Sequence, residues 1–156
     1  MVKHLKIPVS VLVVIHTPDL QVLLLERADR PGFWQSVTGS QEPGESLPQT
    51  AQREVAEETG LHVQPADLVD WRKENRYEIF QRWRGRYAPG VKHNTEHVFS
   101  ARVARILPIR LAEREHLRYL WLPWRDAAEK VFSWSNADAI RELVRRNDLA
   151  VAGGNH

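Results

Sequence analysis

Apolar positions along the chain fall into short runs with two different periods. Pro8 to Ile15 (PVSVLVVI) is rich in β-branched residues and predicts a strand. Gln21 to Arg27 (QVLLLER) predicts its partner, with Thr17-Pro18-Asp19 supplying the turn. Phe33 to Val37 reads as a short extended segment, followed by a Gly- and Glu-bearing loop from Gly39 to Glu45. A helical period then takes over from Leu47 to Thr59, where Leu47, Ala51 and Val55 share one stripe. Ser46 with Gln49 forms the pattern of a capping box, and Gly60 is a C-terminal stop. Leu68 to Trp71, Tyr77 to Trp83, Thr95 to Val103 and Leu117 to Leu122 predict further strands. A short helix is expected near Pro123 to Val131, and a last one from Ala137 to Arg146 with Ile140, Leu143 and Val144 at helical spacing. Strands on both sides of one central helix, with another helix at the end, suggest an α/β sandwich around a mixed sheet.

Composition narrows the class without naming a function. The 156 residues suit one domain, expected over 1–150, with a frayed tail over 151–156. At 42% hydrophobic and 27% charged, the chain is neither low-complexity nor wholly disordered. The longest apolar run, Val11 to Ile15, is strand-sized and far short of a membrane span. The N-terminus lacks the pattern of a secretory signal, so a cytoplasmic enzyme is the expectation. With no cysteine there is no disulfide, thiolate ligand or thiol nucleophile. Twenty-two Lys plus Arg against 20 Asp plus Glu leave a charge of only +2, yet basic residues crowd Trp71 to Arg86. That stretch reads either as a solvated face or as a surface for phosphates.

The segment Gly39 to Leu61 (GSQEPGESLPQTAQREVAEETGL) carries the chemistry. Glu54 and Glu58 lie one turn apart, about 40° around the helix axis. Glu57 lies on the adjoining flank, and Arg53 is four residues before it, placed to pair with it. Glu58 projects between Leu47 and Ala51, toward the core stripe. Like charges one turn apart repel, and carboxylates withdrawn from water cost more unless paired or protonated. A divalent cation removes both penalties. Oxygen-only ligands favour a hard ion, Mg²⁺ or Mn²⁺, and Mg²⁺ tends to bind through carboxylates plus substrate phosphates. The competing reading is an acidic helix balanced by Arg53 and nearby lysines.

Gly39, Glu45 and Arg53-Glu54-Val55-Ala56-Glu57-Glu58-Thr59-Gly60-Leu61 resemble the Nudix box, GX5EX7REUXEEXGU with U aliphatic, at every fixed position. The resemblance implies an α/β/α sandwich with a catalytic loop-helix-loop. It also implies hydrolysis of a nucleoside diphosphate linked to another moiety, or of a related compound. Metal-binding roles then fall to Glu54, Glu57, Glu58 and the Gly39 carbonyl, with Arg53 and Glu45 as orienting groups. Outside the box, KIPVSVLVVI, FWQSVTGS, YEIF, RYAPGV, NTE, EHLRYLWL and SWSN resemble a bacterial group of that family acting on 7,8-dihydroneopterin triphosphate. That resemblance implies release of the monophosphate and pyrophosphate, by attack at the α phosphorus, early in folate biosynthesis. It also implies a pocket lined by Lys6, Arg27, Thr38, Tyr77, Glu78, Ile79, Phe80 and Ser133. Lys6 and Arg27 would meet phosphate oxygens, Thr38 would hydrogen-bond at the catalytic loop, and Ser133 offers a hydroxyl. Tyr77 to Phe80 and Trp34 offer flat faces for a ring, although residues such as Trp34 and Phe80 are more often simply core.

Glu115, before a strand in EREHLRYLWL, is assigned to the metal cluster by the same resemblance, with Glu113 as the alternative. The implied reaction is metal-assisted attack by water, with Glu54 or Glu115 accepting the proton. The partner is thus a small triphosphate, with no membrane and no nucleic acid. Two other readings share the box: a hydrolase of ordinary or oxidised nucleoside triphosphates, and a non-catalytic module that binds a ligand or RNA. Oligomeric state is not legible.

Overall fold

The computed structural model describes residues 5–153, with side chains as far as 147. Seven strands form one mixed sheet: β1 (Val9–His16), β2 (Gln21–Arg27), β3 (Trp34–Gln35), β4 (Val37–Ser40), β5 (Leu68–Glu78), β6 (His93–Arg102) and β7 (His116–Pro123). Three α-helices accompany it: α1 (Leu47–Thr59), α2 (Trp124–Lys130) and α3 (Trp134–Gly153). The backbone order is β3-β2-β1-β6-β5, with β4 also pairing β1 and β7 also pairing β2. Only β1 and β6 run parallel; the other pairs are antiparallel.

The middles of β1 (Val11–Ile15) and β2 (Val22–Leu25) are continuous apolar runs because both faces of the sheet are covered. On β1 and β2, Leu12, Val14, Val22 and Leu24 point to one side, packing with Ala127, Ile140 and Leu143 of α2 and α3. Val11, Val13, Ile15, Leu23 and Leu25 point to the other, against Ala51 and Val55 of α1. Alternation along a strand therefore builds two cores, and the sandwich is α/β/α as expected. Asn136, near the start of α3, ties the second layer to the sheet. Its Oδ1 accepts from the Ser36 amide at 2.8 Å and its Nδ2 donates to Ser36 Oγ at 2.9 Å, all within the core.

Several expectations need correction. Leu68 to Trp71 is not a separate strand: β5 runs through to Glu78 across an irregularity between Asp70 and Glu74, with Arg72 at φ 54°. Of the expected strand Tyr77 to Trp83, only Tyr77 and Glu78 are extended, as the last residues of β5. Gln81–Arg86 forms a 3₁₀ turn instead. Aromatic and aliphatic residues there suit a strand, but the Phe80 and Trp83 rings meet at 5.0 Å, tilted by 44°. A 3₁₀ turn brings residues three apart onto one side, which a strand cannot do. Gly39 and Ser40 belong to β4 rather than to the loop, held by pairing with Val11 and Ser10. The last helix starts at Trp134 and runs to Gly153, so the expected tail is partly helical; residues 154–156 lie outside the described residues.

Candidate active site

The helix α1 is assembled from local signals. Ser46 Oγ accepts from the Gln49 amide and Gln49 Oε1 accepts from the Ser46 amide, at 3.3 and 2.9 Å. Gly60 closes the helix in the left-handed region at φ 77°, its amide donating to Ala56 O. The acids of the helix then divide by burial. Glu58 is 2% exposed, Glu54 is half-buried and Glu57 is exposed.

Arg53 organises these acids. Its Nε and Nη2 donate to the two oxygens of Glu45 at 2.6 and 3.0 Å, and its Nη1 donates to Glu54 at 2.8 Å and Glu57 at 3.2 Å. Nη2 also donates to Ser40 O at 2.9 Å, joining the helix to β4. The expected pair with Glu57 is present, but the fork-on-fork contact is with Glu45. Those bonds hold the Glu45 carboxyl down at about 2, against an ordinary 4.5. A carboxyl with a lowered folded pKa contributes stability above its ordinary pKa and loses it as pH falls through the folded value. The melting temperature should therefore fall between about pH 4.5 and about 2. Glu45→Gln should melt lower at neutral pH and show a flatter acid limb in a pH series of thermal melts. An unchanged limb would assign the acid sensitivity to other carboxyls.

Burial raises the Glu54 and Glu58 carboxyls, Glu58 well above the ordinary range, with Glu54 beside it adding to the shift. Glu58 Oε1 lies 3.4 Å from His116 Nε2, at the start of β7. His116 is buried too, and burial pushes its imidazole down to about 4, so it is neutral at pH 7. Ligand atoms of Glu58, Glu115 and His116 lie within 4.8 Å of one another. Glu58 Oε2 and His116 Nδ1 are buried with no hydrogen-bond partner. A buried carboxylate oxygen without a donor, beside two more carboxylates and a neutral imidazole, is a donor set that fits a divalent cation. Gly39 belongs to the same construction: a Cβ placed there would sit 2.0 Å from Glu54 Cδ.

All of these groups face one cavity of about 1130 Å³. Gly39, Arg53, Glu54, Glu57, Glu58 and Glu115 line it, whereas Glu113 does not. Lys6 and Arg27 line it as well. Arg27 is fixed by Asp29 at 2.8 and 2.7 Å and by Gln35 at 2.9 Å, and lies 4.4 Å over the Trp83 ring. Thr38 lines the cavity while its hydroxyl donates to Val11 O at 3.0 Å. Tyr77, Glu78, Ile79 and Phe80 line a further stretch, and Phe80 is half exposed. Ser133 is there too, its Oγ accepting from the Asn136 amide at 3.2 Å. Trp34 is a core residue, 6% exposed, flanked by Arg118 and Lys130, and does not line the cavity.

His116, Trp83, Asn94 and Glu96, none of them expected at the site, all line the cavity, and Asn94 and Glu96 bound the NTE stretch that carries part of the resemblance. His116 stands beside Glu115 in the stretch already singled out, so adjacency was the available signal. Three of the six basic residues in Trp71 to Arg86 form ion pairs, one of them within that stretch: Arg84 pairs with Glu78, while Lys73 pairs with Glu142 and Arg86 with Asp29. Among the described residues, no helix is long and apolar enough to cross a membrane.

Comparison with known proteins follows the same lines. A NUDIX domain match spans residues 6–143. The chain is 47% identical over 145 residues to a dihydroneopterin triphosphate diphosphatase of Escherichia coli, covering 91% of this chain and 95% of the relative. It is 41% identical to one from Haemophilus influenzae, over 86% of each chain. The structure of the E. coli dihydroneopterin triphosphate pyrophosphohydrolase superposes with a TM-score of 0.84 at 45% identity, over 92% of this chain and 99% of that one. A MutT protein from Methanosarcina mazei shares the fold at a TM-score of 0.67 and 24% identity, over 94% of this chain and 98% of that one. With its acidic helix, its α/β/α frame and a domain match over most of its length, the chain belongs to the Nudix family.

Proposed function

We propose that the chain hydrolyses 7,8-dihydroneopterin triphosphate to dihydroneopterin monophosphate and pyrophosphate. The observation that carries this reading is the extent of the likeness to diphosphatases of that substrate, which covers the pocket-forming segments as well as the acidic helix. The cavity supports it physically: acids and basic side chains share its wall with the aromatic residues Phe80 and Trp83.

Glu54, Glu57, Glu58 and Glu115, with the Gly39 carbonyl, would hold a hard divalent cation, Mg²⁺ in this reading. When bound, that cation polarises phosphoryl oxygens and screens the charge of the nucleophile. Arg53 holds Glu54 and Glu57 in place, and Glu45 holds Arg53. Lys6 and Arg27 neutralise phosphate oxygens, while Thr38, Ser133 and Tyr77 to Phe80 position the rest of the substrate. Water forms the new bond to the α phosphorus as the bridge to the β phosphorus breaks, and pyrophosphate leaves. Glu54 or Glu115 takes the proton from water.

Pyrophosphate release with Mg²⁺, measured on dihydroneopterin triphosphate, the common dNTPs and 8-oxo-dGTP, tests the assignment. The expected result is the highest kcat/KM on the pterin substrate, and a nucleotide preference would overturn it. The pH profiles of Glu54→Gln and Glu115→Gln separate the two candidate bases, since only the loss of the base removes the acidic limb of kcat.

A further inference from the structure

Two buried acceptors on β6 have no role in the chemistry above. Asn94 and Glu96 are two residues apart, so both side chains stand on the same face of the strand, and both line the cavity. They are 2% and 4% exposed. Asn94 Nδ2 is committed to Ser10 Oγ at 2.7 Å and to Tyr77 Oη at 3.0 Å, which fixes the amide with its oxygen as the remaining group. That oxygen, Oδ1, has no hydrogen-bond partner, and neither has Glu96 Oε1. Leaving a buried acceptor unmade costs more than a made bond returns, so a pair of them beside a cavity calls for donors from a ligand. Burial also raises the Glu96 carboxyl, which Ser135 and Asn75 partly offset; entering N–H donors would favour its ionised form.

We infer that Glu96, with Asn94 beside it, is the specificity-determining group for the ring of the substrate, accepting the adjacent N–H and amino donors of a 2-amino-4-oxopyrimidine edge. Glu96 Oε1 and Asn94 Oδ1 are the open acceptors, one for each of two parallel N–H donors. A pterin and a guanine both present that edge; an adenine or a hypoxanthine does not present the amino and ring N–H together. The inference rests on the proposed reaction for its choice of the pterin, but the edge chemistry is separable from it.

Two substrate pairs test it: dihydroneopterin triphosphate against its 2-desamino analogue, and GTP against ITP. Wild type is expected to favour the 2-amino member of whichever pair it hydrolyses by about 10- to 100-fold in kcat/KM, the scale of a hydrogen bond to a charged group. In Glu96→Gln, one acceptor becomes a donor, and this preference should collapse to within about threefold. Calorimetric binding of dihydroneopterin monophosphate without metal should weaken by the same factor, which isolates recognition from catalysis. Glu96→Asp, which keeps the charge but withdraws it by one methylene, should show an intermediate preference and serves if Glu96→Gln does not fold. Full retention of the 2-amino preference in either folded variant overturns the inference. A wild type that ignores the pterin yet loses a GTP-over-ITP preference with Glu96→Gln would overturn the proposed substrate and leave the edge recognition standing.

Discussion

Glu58→Gln is expected to lower kcat by about 10³-fold, close to 4 kcal/mol of transition-state stabilisation, in a protein that remains folded. Glu58 is buried, touches Glu54 and His116, and keeps one oxygen without a donor. Its amide counterpart retains the shape but cannot supply the negative charge. The same burial makes a separate prediction for stability. A carboxyl whose folded pKa is raised contributes stability below its ordinary pKa of 4.5 and loses it as pH rises through the folded value. In chelator, the wild type should therefore melt lower as pH rises above 4.5, while Glu58→Gln should melt at or above it. Added Mg²⁺ or Mn²⁺ should raise the wild-type melting temperature and leave that of the variant in place, because ligand binding to the folded state alone is what stabilises it. Near-normal turnover in the folded variant would remove Glu58 from the reaction.

Gly39→Ala carries the second large effect, and it depends on space rather than charge. The added Cβ would fall 2.0 Å from Glu54 Cδ and 2.3 and 2.4 Å from the two carboxylate oxygens. Gly39 is pinned in β4 opposite Val11, so Glu54 must give way. Moving it also disturbs the 2.8 Å contact with Arg53, and with it the geometry of Glu57 and Glu45. A displacement of about 1 Å in a catalytic group costs on the order of 10² in rate, so kcat should fall by at least about that much. The melting temperature should change far less than kcat, because the clash is relieved toward the cavity. A Gly39→Ala enzyme with wild-type kcat would show that Glu54 need not lie over residue 39 for catalysis.

The acidic helix was legible in the residues because its determinants are neighbours in the chain. Ser46 and Gln49 cap it, Gly60 ends it, and the spacing of Leu47, Ala51 and Val55 sets which side faces the core. Its limits, Leu47 and Thr59, agree with the expected ones, as do those of β2 at Gln21 and Arg27. The segment Tyr77 to Trp83 has a strand-like composition, while its conformation follows from Trp83 meeting Phe80 and, from a distant strand, Arg27. Trp34 could have served the cavity or the core, and packing against α2 and α3 decided for the core.

From the order of residues alone came a capped acidic helix and a sandwich around a mixed sheet, while the Nudix frame and the expected pocket residues came through the family resemblance. Hydrogen bonds over three or four residues and the twofold or 3.6-fold spacing of apolar groups act within one element, so the chain reveals them directly. Only tertiary structure brought His116 to Glu58, laid Gly39 under Glu54 and left Glu96 and Asn94 with open acceptors beside a cavity. Those arrangements depend on how separate strands register and on which polar atoms burial leaves without water, and neither is written in local spacing.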